Sequence, residues 1–227
     1  MLKERTLPVL VAVTALAMVA SLYLAFVWVP NEQTMGAIQR VFYFHVPSAW
    51  LAFLAFAVAA LAGLLYLRQQ DWKWDRVESS SIEIGVLFST VAIATGSIWA
   101  RPAWNTWWTW DPRLTTTLVM WIYYVATLLL RTMVDSRERR ARFGAVLSIV
   151  GFVNVPLVFL AIRLWRTIHP VLFTTEGFAL ETSMLITLLT ALLAFTLLYS
   201  CLLMLRVRVE SLAAQVENLR EHHLAKQ

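Results

Sequence analysis

Histidine is scarce in this chain: there are four, and His222 and His223 stand in a charged tail where they read as solvated. The other two lie at the edges of long apolar runs, His45 within Phe44-His45-Val46-Pro47 and His169 within Ile168-His169-Pro170. Between them the sequence runs Arg101-Pro102-Ala103-Trp104-Asn105-Thr106-Trp107-Trp108-Thr109-Trp110-Asp111-Pro112-Arg113. Four tryptophans in seven residues, in so polar and proline-flanked a segment, do not follow from β-propensity. Large flat π faces beside cations suit a flat aromatic ligand that carries carboxylates, because stacking and Arg–carboxylate pairing act together. Imidazole is a good ligand for porphyrin iron, and two imidazoles can fill both axial positions. Zinc fits less well, since two histidines with only Asp111 and Glu176 or Glu181 nearby make a sparse site.

Each of these residues also has a plainer reading. Tryptophan collects at membrane interfaces, and such a belt accounts for Trp28, Trp50 and Trp99. It does not call for a cluster bracketed by Arg101, Asp111 and Arg113. A lone interfacial histidine is commonly a polar tip in wet surroundings. Two of them flanking one Trp-rich loop with arginines nearby argue for more. Arg101, Arg163 and Arg166 suit ligand carboxylates and lipid headgroups equally. Asp111 reads as a residue that holds its loop, or as a partner of Arg113.

The elements that must position these residues are membrane helices. Of 227 residues 59% are apolar and 15% charged, and the mean hydropathy is +0.66. An ordinary soluble domain carries roughly 25% charged residues. A single cysteine, Cys201, excludes a disulfide framework, a zinc site needing two or more cysteines and an iron–sulfur cluster held by this chain alone. A net charge of +5 would suggest nucleic acid in a soluble protein, but here the basic residues lie in short tracts between apolar runs, and no nucleic-acid partner is expected.

A helix needs roughly 20 apolar residues to cross about 30 Å of hydrocarbon. Six segments qualify, at about 7–29, 47–67, 82–100, 114–130, 143–162 and 182–205. The first is apolar for too long to be a cleaved signal and reads as a retained helix. Fourteen of the nineteen Lys and Arg fall on one side of this arrangement; only Arg40, Arg101, Arg113, Arg163 and Arg166 fall on the other. The positive-inside rule therefore places both termini in the cytoplasm and three loops outside, at about 30–46, 101–113 and 163–181. The expected fold is all-α: a six-helix transmembrane bundle over 1–205 and a cytoplasmic amphipathic tail over 206–227. Pro47 is expected to open the second helix, Pro156 to kink the fifth near Phe152, and Glu83 to snorkel to the inner interface.

At the Trp-rich loop the sequence resembles the haem-handling proteins of cytochrome c maturation, specifically the six-helix CcmC (haem exporter protein C) family. The family's signature is W-G-x-W-W-x-W-D-x-R-L-T, known as the WWD motif. Trp104, Trp107, Trp108, Trp110, Asp111, Arg113, Leu114 and Thr115 match it. Asn105 replaces the motif glycine, and asparagine tolerates positive φ better than most residues. His45-Val46-Pro47 is similar to the family's first histidine motif, and Asn154-Val155-Pro156 with Trp165, Thr167 and His169 to its last helix pair.

The resemblance implies a bacterial inner-membrane protein that holds haem b at the periplasmic face, with His45 and His169 as axial ligands of the iron. It implies delivery of that haem to the chaperone CcmE, within an ABC-transporter-like complex with CcmA, CcmB and CcmD. Cofactor contacts are then expected from Trp104, Trp107, Trp108, Trp110, Asp111, Arg113, Arg101 and Arg166. No catalytic residue is expected; the chain reads as a transfer protein, although holding haem beside a nucleophilic partner is itself proximity catalysis. Two other classes stay open: a haem-bearing membrane anchor for electron transfer, whose histidines would sit within spans, and a permease for an unrelated solute, which would carry polar groups near the midplane.

Overall fold

A computed structural model describes residues 6–170, 173–174, 177–178 and 180–224. Lys3, Arg5, Glu176 and Lys226, used in the sequence reading, lie outside the described residues. Six helical segments are long and apolar enough to cross a membrane: Thr6–Trp28, Ala37–Gln69, Trp72–Trp104, Pro112–Met133, Arg137–Leu164 and Thr182–Leu224. The protein is the all-α, six-span bundle that its composition requires.

The first span is α1 (Thr6–Tyr23), ending in a π-helical turn at Leu24–Trp28. A 3-10 turn at Ala37–Val41 then runs directly into α2 (Phe42–Gln69). The outward segment expected over 30–46 is thus shorter than its sequence suggested. His45 stands on the first turn of α2, and Pro47 lies one turn inside the helix rather than at its start. The third span, α3 (Trp72–Trp104), is capped by Asp71, whose carboxylate accepts from the Lys73 amide at 2.9 Å. It continues past the expected boundary to carry Arg101 and Trp104 on its last turn.

The fourth span is α4 (Pro112–Met133), which opens with Pro112 at its first position, where a missing N–H costs nothing. The kink expected near Phe152 is a break: α5 (Arg137–Phe152) ends, Val153 turns, and α6 (Asn154–Leu164) begins with Pro156 in its first turn. A two-residue antiparallel pairing joins β1 (Phe173–Thr174) to β2 (Gly177–Phe178). The last helix, α7 (Thr182–Leu224), runs 43 residues without interruption, so the tail is a continuation of the sixth span.

The centre of the bundle is α2, because it is the helix whose small residues let its neighbours close in. Ala52, Phe53, Phe56 and Ala59 of α2 pack against Ile82, Met120, Tyr124, Val155 and Val158 from α3, α4 and α6. On its other side Leu51 and Ala55 meet Ile84, Phe195 and Tyr199. The rings of Phe56 and Tyr124 stack at 3.7 Å. A methyl at Gly63 would lie 2.9 Å from the Ala145 carbonyl oxygen, so α2 and α5 approach as closely as small residues permit.

Charged side chains tie the end of the bundle opposite the histidines. Arg131 on α4 donates to Asp75 and to Glu78 on α3, each at 2.8 Å, and Ser148 on α5 donates to Glu78 at 2.5 Å. Glu83 does not snorkel freely: Arg206 of α7 grips both of its oxygens, at 2.5 and 3.0 Å.

Candidate haem site at the mouth of the bundle

His45, Trp104, Arg113 and His169 come from the start of α2, the end of α3, the start of α4 and the segment after α6, and all four meet at one end of the bundle. The His45 ring lies against α3. Its Nδ1 is 2.9 Å from the Ala92 carbonyl and 3.3 Å from the Thr95 hydroxyl oxygen. A carbonyl only accepts, so Nδ1 carries the proton and Nε2 keeps its lone pair. The ring fits because residue 96 is glycine: a Cβ there would sit 2.8 Å from His45 Cε1.

His169 is arranged in the same way. Its Nδ1 donates to the Pro170 carbonyl at 3.2 Å, which leaves Nε2 available, and its ring meets the Trp104 indole edge-on with centroids 6.4 Å apart. Burial lowers the His169 pKa to about 4, and the charge of Arg113 pushes the same way. The ring is therefore a neutral imidazole at neutral pH, the form that binds a metal. His45 and Arg113 both lie within electrostatic reach of it. Two neutral ring nitrogens from separate segments thus converge on the same end of the bundle.

The Trp-rich loop is held at both edges. At its start, Asn105 adopts φ 55°, ψ 24°, the left-handed conformation that the motif glycine would supply. The turn survives the replacement because asparagine is among the few side chains that visit this region readily. Arg101 seals it by donating to the Asn105 carbonyl oxygen at 2.8 Å and to the Asn105 side-chain oxygen. That guanidinium is committed to its own helix end.

At the other edge Asp111 caps α4 by accepting from the Arg113 amide at 3.0 Å. The same carboxylate accepts from the Thr167 hydroxyl at 2.8 Å and the Ile168 amide at 3.0 Å. Thr167 in turn accepts from the His169 amide at 3.1 Å. Asp111 therefore holds the Trp loop to the segment that carries His169, and it makes no ion pair with the Arg113 side chain. The guanidinium of Arg113 has no acceptor among the described residues, which leaves a cation beside both histidines.

The tryptophans divide by exposure. Trp104 is half-buried between Trp99 and His169. Trp108 meets Trp110 edge to face at 6.0 Å. Trp107 and Trp110 are 57% and 75% exposed and offer free indole faces at the rim. An open cleft of about 500 Å³ lies beside Trp110, lined also by Thr109, Asp111, Pro112, Arg166, Thr167 and Ile168. The Thr109 hydroxyl at its wall is buried with no partner among the described residues.

Sequence reasoning did not foresee the support given to His45 by Ala92, Thr95 and Gly96. The only trace was a glycine in the middle of an apolar helix. It also missed the cluster of Asp75, Glu78, Arg131 and Ser148, whose trace was a pair of carboxylates, Asp75 and Glu78, one turn apart at the start of the third span.

The model of the family described as "Heme exporter protein C" (CcmC) matches residues 1–222. The chain belongs to the haem exporter protein C family. It is 35% identical to the haem exporter protein C of Bradyrhizobium diazoefficiens, over 96% of this chain and 84% of that protein. With the haem exporter protein C of Escherichia coli it shares 33% identity over 68% of this chain and 65% of the relative. A putative cytochrome c biosynthesis ccmC-like mitochondrial protein of Marchantia polymorpha is 28% identical over 86% of this chain. Family membership covers all six spans and both histidine segments described above.

Proposed function

We propose that this chain is a haem-handling protein of cytochrome c maturation that holds haem b between His45 and His169 and delivers it to the chaperone CcmE. The observation that carries the reading is the matched state of the two imidazoles. Each turns Nδ1–H to a backbone carbonyl and keeps Nε2 free; His169 lies against the Trp104 ring, and the Arg113 guanidinium is within electrostatic reach of both.

The residues present suit the ligand. Bound haem supplies an iron centre with two open axial positions and a pair of propionates. Trp107 and Trp110 provide flat apolar faces, and Arg113 and Arg166 provide cations for the propionates. Arg101 is left with a positioning role at the loop. His169 stands on a short segment tethered chiefly through Asp111, so it is the ligand more readily withdrawn; His45, seated on α2 against α3, is the more rigid. A site with one rigid and one releasable ligand suits a protein that must give its cargo away.

The distribution of cations supports a periplasmic location in the bacterial inner membrane. Among the described residues five Lys and Arg lie at the end that bears the histidines and eleven towards the other. Release would take place within a complex with CcmA, CcmB and CcmD. The chain acts by holding haem in position, and we assign bond-making to the chaperone's own nucleophile.

Absorption spectra of the detergent-purified protein, alone and with the chaperone, test this reading. A bis-imidazole low-spin haem spectrum is expected for the wild type, altered in His45→Ala and in His169→Ala. Protein that carries no haem when haem is supplied during expression overturns the site and returns the tryptophans to an interfacial belt.

A further inference from the structure

About 65 Å of helix is too long for a membrane of about 30 Å, so α7 must project well beyond the bilayer. From residue 212 onward nearly every side chain on this projection is exposed. Leu205, Val209, Leu212, Val216 and Leu219 form a single apolar stripe on it, between 42% and 71% exposed. Their spacing alternates four and three residues, which is the heptad repeat of a coiled-coil seam. The two valines fall at one seam position and the three leucines at the other. β-Branched residues alternating with leucine in this way favour a two-stranded pairing.

The charges are sorted about the stripe. The positions that flank it are Arg206, Arg208, Ala213, Gln215, Arg220 and His222, with no acid among them. The glutamates, Glu210, Glu217 and Glu221, lie on the outer face. Arg206 is engaged by Glu83 and Glu210, whereas Arg208 and Arg220 have no ion-pair partner among the described residues.

We infer that the projecting half of α7 is a docking helix for one partner helix, whose apolar heptad seam is flanked by Glu or Asp. A second copy of this chain would bring only cations and neutral groups to the flanks and gain no ion pair. A resting place on the membrane is disfavoured too. The helix runs on past its apolar span without interruption, and residues 206–224 balance three arginines against three glutamates, whereas membrane-surface helices are rich in Lys and Arg on their polar face.

The test uses the full chain in single-copy nanodiscs and two fluorescein-labelled 28-residue peptides. Both carry valine and leucine at the seam, one with Glu and the other with Lys at every flanking position. Anisotropy should report binding of the Glu peptide and about tenfold weaker binding of the Lys peptide. Leu212→Ser with Leu219→Ser should remove binding. Arg208→Glu with Arg220→Glu should exchange the peptide preference, and because it leaves the seam intact, that exchange cannot come from lost helix.

Equal binding of the two peptides, or none, overturns the inference. So does loss of binding when anionic phosphatidylglycerol replaces phosphatidylcholine, which would assign the stripe to the membrane. Disulfide formation between copies of Leu212→Cys in proteoliposomes would assign it to self-association and overturns the inference as well.

Discussion

Asp111, the residue that caps the start of α4, accepts a 2.8 Å hydrogen bond from the hydroxyl of Thr167, 56 residues further along the chain. One carboxylate thereby caps a helix, closes the Trp-rich loop and fixes the segment that carries His169. Asp111→Ala removes the cap, worth about 1 kcal/mol, and frees the Thr167 hydroxyl and the Ile168 amide. Haem bound after purification should fall severalfold, with spectral changes resembling those of His169→Ala rather than His45→Ala. Asp111→Asn keeps an acceptor for the cap and should retain more haem. A spectrum and yield unchanged in Asp111→Ala would detach this residue from the site.

Gly96 lies under the His45 ring. Replacing glycine by alanine within a helix ordinarily stabilises it by roughly 0.5–1 kcal/mol. Here a Cβ would stand 2.8 Å from His45 Cε1, so the ring must move away from the Ala92 carbonyl. Gly96→Ala should therefore bind less haem and shift its Soret band, while its ligand-free thermal midpoint stays near that of the wild type. Normal haem binding in this variant would show that His45 has room its packing does not suggest.

The depressed pKa of His169 sets a pH dependence. In an unfolded chain histidine titrates near pH 6.5, whereas in the folded protein burial first, then Arg113, holds this ring at about 4. Above pH 6.5 neither state is protonated. As pH falls from about 6.5 towards about 4 the unfolded chain takes up a proton that the folded site refuses, so the folded state loses stability across that window. His169→Gln should flatten the decline of the ligand-free thermal midpoint there. Parallel pH profiles for the two proteins would mean that His169 is protonated in the fold.

Far from the histidines, Arg131 compensates two carboxylates in a nearly dry site, Glu78 being 1% exposed. Truncating one partner of such a cluster leaves an unpaired buried charge and costs about 3–5 kcal/mol. Arg131→Ala should lower the thermal midpoint in detergent strongly. The exposed pair between Arg142 and Glu138 joins two residues one turn apart on α5, and losing it through Glu138→Ala should cost at most about 0.5 kcal/mol. Similar losses in the two variants would show that water reaches Glu78.

Much of this protein is determined by its sequence alone, because the bilayer imposes one strong rule. Backbone groups in hydrocarbon must be satisfied within the helix, so long apolar runs become spans whatever their neighbours are. The six spans follow from that rule, and the break after Phe152 follows from Pro156. The types of residue at the site are local signals too: the Trp-rich loop, two histidines at the ends of apolar runs, and an asparagine able to take a left-handed turn at residue 105.

The relationships between segments belong to the tertiary structure. No local pattern indicates that α2 starts early enough to carry His45, since a 3-10 turn and packing against α3 decide where it begins. Nothing near Asp111 announces Thr167 as its partner, nothing near His45 announces Ala92 and Gly96, and nothing near Glu83 announces Arg206. These pairs are distant in sequence, and only the packing of the helices on α2 brings their atoms within hydrogen-bonding range. Sequence supplied the chemical groups, and the bundle decided which nitrogen of each histidine stays free, because that depends on which carbonyl the fold sets beside the other one.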